Sequence, residues 1–267
     1  MQIVNKIVLI TGASSGIGAA IAKAASQAGA DRILLLARSE RRLGKVADEI
    51  KSEGGKAIVY PVDLADPGEV QTVTQRILDQ EGVPDILINN AGIGRWRFLC
   101  EMGTEEITDT MALPYFATAW VTRAFLPAML ERDSGHIVNI SSVASRLAWP
   151  GATAYIAACR AMRGFSDALR SDLHGTRISV THYESGPIDS PYWQNNPGSR
   201  ERVPGIAKLL VPVISEDQVA RAVVKGVSRN KQSIVMPTML RVVYVLHRVF
   251  PWLVQGLMTR TGYRSPS

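Results

Sequence analysis

The chain has 267 residues, 46% of them apolar and 20% charged, which is enough for one α/β domain with a sizeable core. Its net charge of +6 suits a phosphorylated cofactor or an anionic membrane surface. No stripe of interleaved aromatic and basic residues supports nucleic acid, and Cys100 and Cys159 make neither a disulfide framework nor a metal site.

Short apolar runs alternate with longer helical patterns along the chain. Residues 4–10 read as a buried strand and 16–29 as an Ala-rich helix ending in glycine. A strand at 33–37 and a helix at 40–53 follow, then a strand at 57–60 and a helix at 67–80. The next strand is expected at 86–88, and a long helical segment at 104–130. Strands at 136–140 and 178–183 flank a long helix at 152–173. A Pro- and Gly-rich loop runs to about residue 212, and a helix at 216–228 and a strand at 233–235 close the pattern. Strict alternation with near-continuous apolar strands predicts a doubly wound, Rossmann-type parallel sheet of about seven strands with helices on both faces. Ligands bind such sheets at the carboxyl ends of the strands. The pattern starts at the N-terminus and no run of about 18 apolar residues occurs, so the expectation is a single cytoplasmic domain over 1–267, free or membrane-adjacent.

The first strand runs into Gly12, Ser14, Ser15, Gly16, Ile17 and Gly18, and a helix follows directly. Glycine there permits a tight turn and close approach of a pyrophosphate, and the helix N-terminus offers unpaired N–H groups and positive charge. The second strand ends on Arg38, with no acidic residue where one would hold a ribose 2′-hydroxyl. A guanidinium suits a 2′-phosphate instead, with Ser14, Ser15 and Ser39 as further donors. A solvated surface arginine is the alternative.

The glycine turn, the Asn89-Asn90-Ala91-Gly92 run and Ser142 thirteen residues before Tyr155 together resemble the short-chain dehydrogenases/reductases over residues 4–235. That resemblance implies NADP(H) as the preferred cofactor, NAD(H) as the other choice, no metal, and homodimers or homotetramers paired through long helices. It implies Asp63 and Leu64 beside the adenine, Asn90, Ala91 and Gly92 beside the ribose, and Gly186, Ile188 and Ser190 beside the nicotinamide. Tyr155 becomes the acid/base and Ser142 the hydrogen-bond donor to a substrate oxygen.

Three positions depart from the family pattern, one of them Ser185, where the family has a proline before the glycine. Cys159 stands where a lysine lowers the tyrosine pKa, and Pro114 where an asparagine holds a water. A neutral thiol replaces neither the charge nor the ribose bond. Arg163, one helical turn beyond Cys159, could lean back toward it and supply part of the missing charge. A surface or interface arginine is the alternative there.

Trp96, Tyr192, Trp193, Ile206, Leu209 and Leu210 make the neighbourhood of the 187–212 loop apolar, pointing to a small hydrophobic carbonyl or alcohol. They could equally pack a lid onto the domain. The amphipathic, basic extension at 238–267 is broken by Pro251. It leaves three readings open: a membrane surface, a partner subunit, or a cover over the substrate pocket. The intact cofactor motifs favour an oxidoreductase. Cys159, Pro114 and Ser185 favour an impaired or non-redox dinucleotide-binding protein, and other chemistry in the same pocket stays open.

Overall fold

A computed structural model describes residues 1–264. Seven parallel strands form one sheet in the order β3-β2-β1-β4-β5-β6-β9. They are β1 (Ile7–Thr11), β2 (Arg32–Ala37), β3 (Ala57–Pro61), β4 (Ile86–Asn89), β5 (Gly135–Ser142), β6 (Ile178–Ser185) and β9 (Ser233–Met236). A separate parallel pair joins β7 (Ile188–Asp189) to β8 (Ile214–Ser215). The expected doubly wound sheet is what the chain forms.

Alternation along the strands divides the core between two faces. Val8, Ile10, Ile33, Leu35, Ile86 and Ile88 face one side. They pack under α1 (Gly16–Gln27), α2 (Glu40–Ser52) and α9 (Glu216–Ser228). Leu9, Leu34, Leu36, Leu87 and Ile137 face the other side. They meet α3 (Pro67–Glu81), α5 (Thr118–Glu131) and α6 (Thr153–Asp172). Because both faces are covered, these strands read as continuous apolar runs.

The helix starts follow from side-chain chemistry. Ser39 accepts from the Arg42 N–H to cap α2, and Asp66 accepts from the Gly68 and Glu69 N–H groups to cap α3, where Pro67 costs no bond. Ser215 and Gln218 form a reciprocal box at α9.

Three differences from the sequence expectations have local causes. The first strand begins at Ile7 rather than residue 4, because Asn5 takes a left-handed conformation (φ 59°). The long segment is not one α-helix: α4 (Thr104–Met111) passes through a π turn at Ala112–Ala117 into α5. Pro114 sits in that turn, where the missing proline N–H forces a wider hydrogen-bond register. The 187–212 segment is not all loop, since it holds β7, α7 (Tyr192–Asn195) and α8 (Gly205–Leu210). The C-terminal extension folds into α10 (Met239–Val249) and α11 (Pro251–Arg260), with Pro251 at the first position of α11, and its last residues, 265–267, lie outside the described residues. No helix among the described residues is long and apolar enough to cross a membrane.

Candidate active site

The strand order reverses between β1 and β4, so a crevice opens at the carboxyl ends of these strands. Gly12 adopts φ +66°, and its carbonyl lies where a side chain on Gly18 would have to go: a Cβ there would meet Gly12 O at 2.3 Å. That closeness lets α1 start directly under the turn with its first N–H groups facing outward. Asn90 ties the second loop to the first, its Nδ2 donating to the carbonyls of Thr11 (3.0 Å) and Gly12 (3.3 Å). The Asn90 and Ala91 N–H groups both donate to Thr11 Oγ1. The structure therefore builds one rigid cradle from the glycine turn and the Asn-Asn-Ala-Gly run.

Arg38 is exposed at the end of β2, with no ion-pair partner among the described residues. Ser14 and Ser15 are half-buried in the turn. Asp63 lies half-buried just past β3 and accepts from the Ala65 N–H. The Leu64 side chain is buried in the core, so any ligand contact there must come from its backbone. Glu216 was not singled out from the sequence. Its Oε1 is 3.4 Å from where a Cβ on Gly16 would sit, and burial raises its pKa. No motif signals that approach, which α9 makes by packing on α1.

Beside the cradle is a cavity of about 280 Å³. Ile17, Asn90, Ala91 and Gly92 line it, as do Ser142 and Tyr155. Gly186, Ile188 and Ser190 line it from the segment after β6, Cys159 from α6 and Pro114 from the π turn. Nine of the expected site residues thus line one cavity, whereas Gly12, Ser14, Ser15, Gly16, Gly18, Arg38, Asp63 and Leu64 lie outside it. Trp96 stacks on Tyr155 (centroids 5.5 Å, 30°) and meets Trp149 and Trp193 at 5.1 and 5.8 Å. Trp96 Nε1 donates to Tyr192 Oη at 3.1 Å. Apart from Ser141 and Ser185, the rest of the wall is apolar. Leu240, Val243, Leu246, Val254, Leu257 and Met258 reach it from α10 and α11. Of the three places open to the extension, the structure puts its inner face over the pocket.

A profile of short chain dehydrogenases matches residues 6–200. The chain belongs to the short-chain dehydrogenase/reductase family. This oxidoreductase is 31% identical to a Drosophila melanogaster protein called dehydrogenase/reductase SDR family protein 7-like, over 98% of this chain and 82% of that one. It is 39% identical to an uncharacterised Mycobacterium tuberculosis oxidoreductase over 70% of this chain, a match that spans 56% of the relative's length. A Sphingobium yanoikuyae short-chain dehydrogenase solved with NADPH superposes with TM-score 0.79 at 26% identity, covering 98% of each chain. A Burkholderia phymatum member solved with NAD gives TM-score 0.83 at 22% identity over the whole of both chains, a likeness of fold alone.

Within this dehydrogenase, the lysine position changes the electrostatics of the site. Burial pushes the Tyr155 hydroxyl well above its usual value, the neighbouring Cys159 and Tyr192 push the same way, and only a hydrogen bond with Ser142 opposes them. Burial likewise pushes the Cys159 thiol up to about 12, so it is neutral at physiological pH and no activated nucleophile. Arg163 does not lean back toward Cys159. Its Nη1 pairs with Glu184 Oε1 at 2.8 Å, and its Nε is 3.7 Å from Asp167. The reason is Glu184, a fully buried carboxylate on β6 that also holds Arg146 at 2.9 Å. A buried carboxylate claims the nearest guanidinium before a distant thiol can.

Glu184 ends a buried polar chain that sequence reading also missed. Asn89 Nδ2 donates to Thr122 Oγ1 and Asn139 Oδ1, and Asn139 Nδ2 donates to Ser166 Oγ. Ser166 Oγ lies 3.0 Å from His182 Nδ1, and His182 Nε2 lies 3.7 Å from Glu184 Oε1. The hydrogen bonds from Asn89 to His182 tie β4, β5, β6, α5 and α6 together, and the 3.7 Å approach to Glu184 is too long to add another.

The buried histidines give an acid-stability prediction. Burial lowers both His136 and His182 from 6.5 to about 4. Between those values the unfolded chain binds protons that the folded chain refuses. Stability therefore rises with pH across this window, is full above 6.5, and is lost as pH falls toward 4, on the order of 2–3 kcal/mol per histidine. Urea midpoints measured at pH 7 and pH 4.5 check this. His136→Asn with His182→Asn should flatten the profile in that range.

Proposed function

We propose that this dehydrogenase binds NADP(H) in preference to NAD(H) and interconverts a carbonyl and an alcohol on a small hydrophobic substrate. The observation that carries the reading is the pairing of the glycine-and-asparagine cradle with the apolar cavity at the end of β4 and β5, where Ser142 and Tyr155 stand together. The residues present fit the dinucleotide. Gly12 and Gly18 leave no side chain over the turn, the α1 N–H groups suit the pyrophosphate, and Arg38 is exposed and uncommitted. Asp63 and the Leu64 backbone would border the adenine. Asn90, Ala91 and Gly92 would border a ribose, and Gly186, Ile188 and Ser190 the nicotinamide. NADP-bound structures of similar fold support the choice of cofactor.

When bound, the nicotinamide supplies or accepts hydride. The protein's part is proton handling and orientation. Ser142 donates a hydrogen bond that holds the substrate oxygen toward Tyr155. Tyr155 Oη gives its proton to that oxygen in reduction and recovers it in oxidation. The tryptophan cluster and the α10–α11 cover exclude water, which strengthens each polar contact inside. A second reading, an impaired or non-redox binder, is favoured by one observation: Tyr155 has a neutral thiol beside it and a raised pKa. The two readings differ in chemistry and agree on the cofactor.

NADPH consumption with a panel of apolar ketones and aldehydes, with the alcohol product identified, tests the redox reading. Cofactor bound without any turnover would leave the second reading standing. Arg38→Ala should weaken NADPH binding by roughly 10- to 100-fold, the worth of a charged hydrogen bond, while leaving NADH binding unchanged. Equal losses for both cofactors in parallel titrations would remove Arg38 from the 2′-phosphate site.

A further inference from the structure

The outer faces of α10 and α11 are apolar and open. Val242, Val245 and Val249 follow at helical spacing along one face of α10, and Trp252 on α11 is 73% exposed. Leu209 on the adjoining α8 is 79% exposed. Around them stand Arg241, Arg248 and Arg260 on the same two helices and Lys208 on α8. Residues 239–260 contain no acidic side chain, and Arg241, Arg248 and Arg260 have no ion-pair partner among the described residues.

The position of this face matters as much as its chemistry. Leu210, Leu246 and Leu257 line the cavity and are also 48%, 46% and 40% exposed. They form a continuous apolar path from the buried wall to the outer surface. The cavity therefore borders the basic, apolar face.

We propose that α10, α11 and α8 dock on an anionic lipid bilayer, so that a lipophilic substrate passes from the bilayer into the cavity without crossing water. Docking itself is read from this face alone; the passage of substrate rests on the proposed carbonyl–alcohol function. Valines, Trp252 and Leu209 enter the boundary between headgroups and acyl chains, and the arginines meet lipid phosphates. The helices lie in the surface, since neither is long enough to span. Charge selects the bilayer over a second copy of the chain. A twofold dimer on this face would set arginines against arginines with no carboxylate between them, whereas an anionic membrane pairs every one.

Flotation of the full chain, without cofactor, tests the docking. The probes are vesicles of phosphatidylcholine alone and of phosphatidylcholine mixed with phosphatidylglycerol. The protein should float with the mixed vesicles only, and high salt should release it. Arg241→Glu with Arg248→Glu, and separately Val245→Glu with Trp252→Glu, should each lower binding roughly tenfold or more while NADPH titration and circular dichroism stay unchanged. Protein left in the soluble fraction with every vesicle overturns the proposal, as does binding that both variants retain. A dimer in sedimentation velocity that Val245→Glu with Trp252→Glu splits, in a chain that does not float, would assign the face to a second copy. Because NADPH binding is read separately, failure of docking and failure of the proposed function are distinguishable.

Discussion

Cys159→Lys should raise NADPH-dependent carbonyl reduction by about 10²–10³-fold at neutral pH, the span that a well-matched acid/base contributes. In the proposed mechanism Tyr155 donates its proton from a hydroxyl whose pKa burial and the neighbouring thiol hold high. An ammonium at position 159 reverses the sign of the nearest contribution. A fall of about three units corresponds to roughly 4 kcal/mol, only part of which appears in the rate because the proton is partly transferred in the transition state. The lysine must enter a buried position packed with Trp96, Trp149 and Ile156. Cys159 lines the cavity, however, beside the Tyr155 and Ser141 hydroxyls, so the ammonium has hydrogen-bond acceptors within reach. Some loss of stability in the cofactor-free variant is expected, and it should recover when NADPH binds. The check is kcat/KM against pH for the unaltered chain, Cys159→Lys and Cys159→Met. The lysine variant alone should gain activity and move its ionisation to lower pH. Equal rates for lysine and methionine would show that charge at this position does not limit proton transfer.

Glu184→Leu should lower the unfolding midpoint by roughly 6–12 °C, the equivalent of about 3 kcal/mol in a chain of this size. Two guanidiniums, Arg146 and Arg163, lose their common carboxylate, and Ser145 loses its acceptor. Both arginines keep about a third of their side-chain surface in water, which places the cost at the lower end for a broken buried pair. The consequence reaches the cavity. The Arg146 guanidinium lies 4.6 Å over the Tyr244 ring on α10, so its release loosens the cover. Thermal unfolding followed by circular dichroism tests the first effect, and limited proteolysis within residues 239–260 the second. An unchanged midpoint would mean that the ion cluster merely replaces equally good solvation.

The doubly wound sheet was legible because its strands are buried on both faces and its first turn needs glycine. Continuous apolar runs and a glycine cluster are local signals, and they located β1, the turn and α1 within a few residues. Ser142, Tyr155 and Cys159 were singled out only through the family resemblance, and they lie on one strand end and one helix turn. What sequence reading missed depends on contacts between distant segments. Arg163 looked free to approach Cys159, because nothing local announces that Glu184, twenty-one residues later, is buried against it. Glu216 reaches Gly16 only after α9 docks on α1. The π turn at Pro114 is a local event, but a proline in a helical pattern predicts a kink without saying how the backbone absorbs it. The C-terminal segment carried a plain amphipathic pattern, yet only the fold tells which side covers the cavity and which faces outward.

The most direct measurement is a titration of the unaltered chain with NADPH and with NADH, followed by quenching of tryptophan emission from the Trp96, Trp149 and Trp193 cluster beside the site. Saturable quenching by NADPH, at lower concentrations than NADH requires, is the predicted result. Quenching by neither would contradict the dinucleotide site itself, and with it the proposed function.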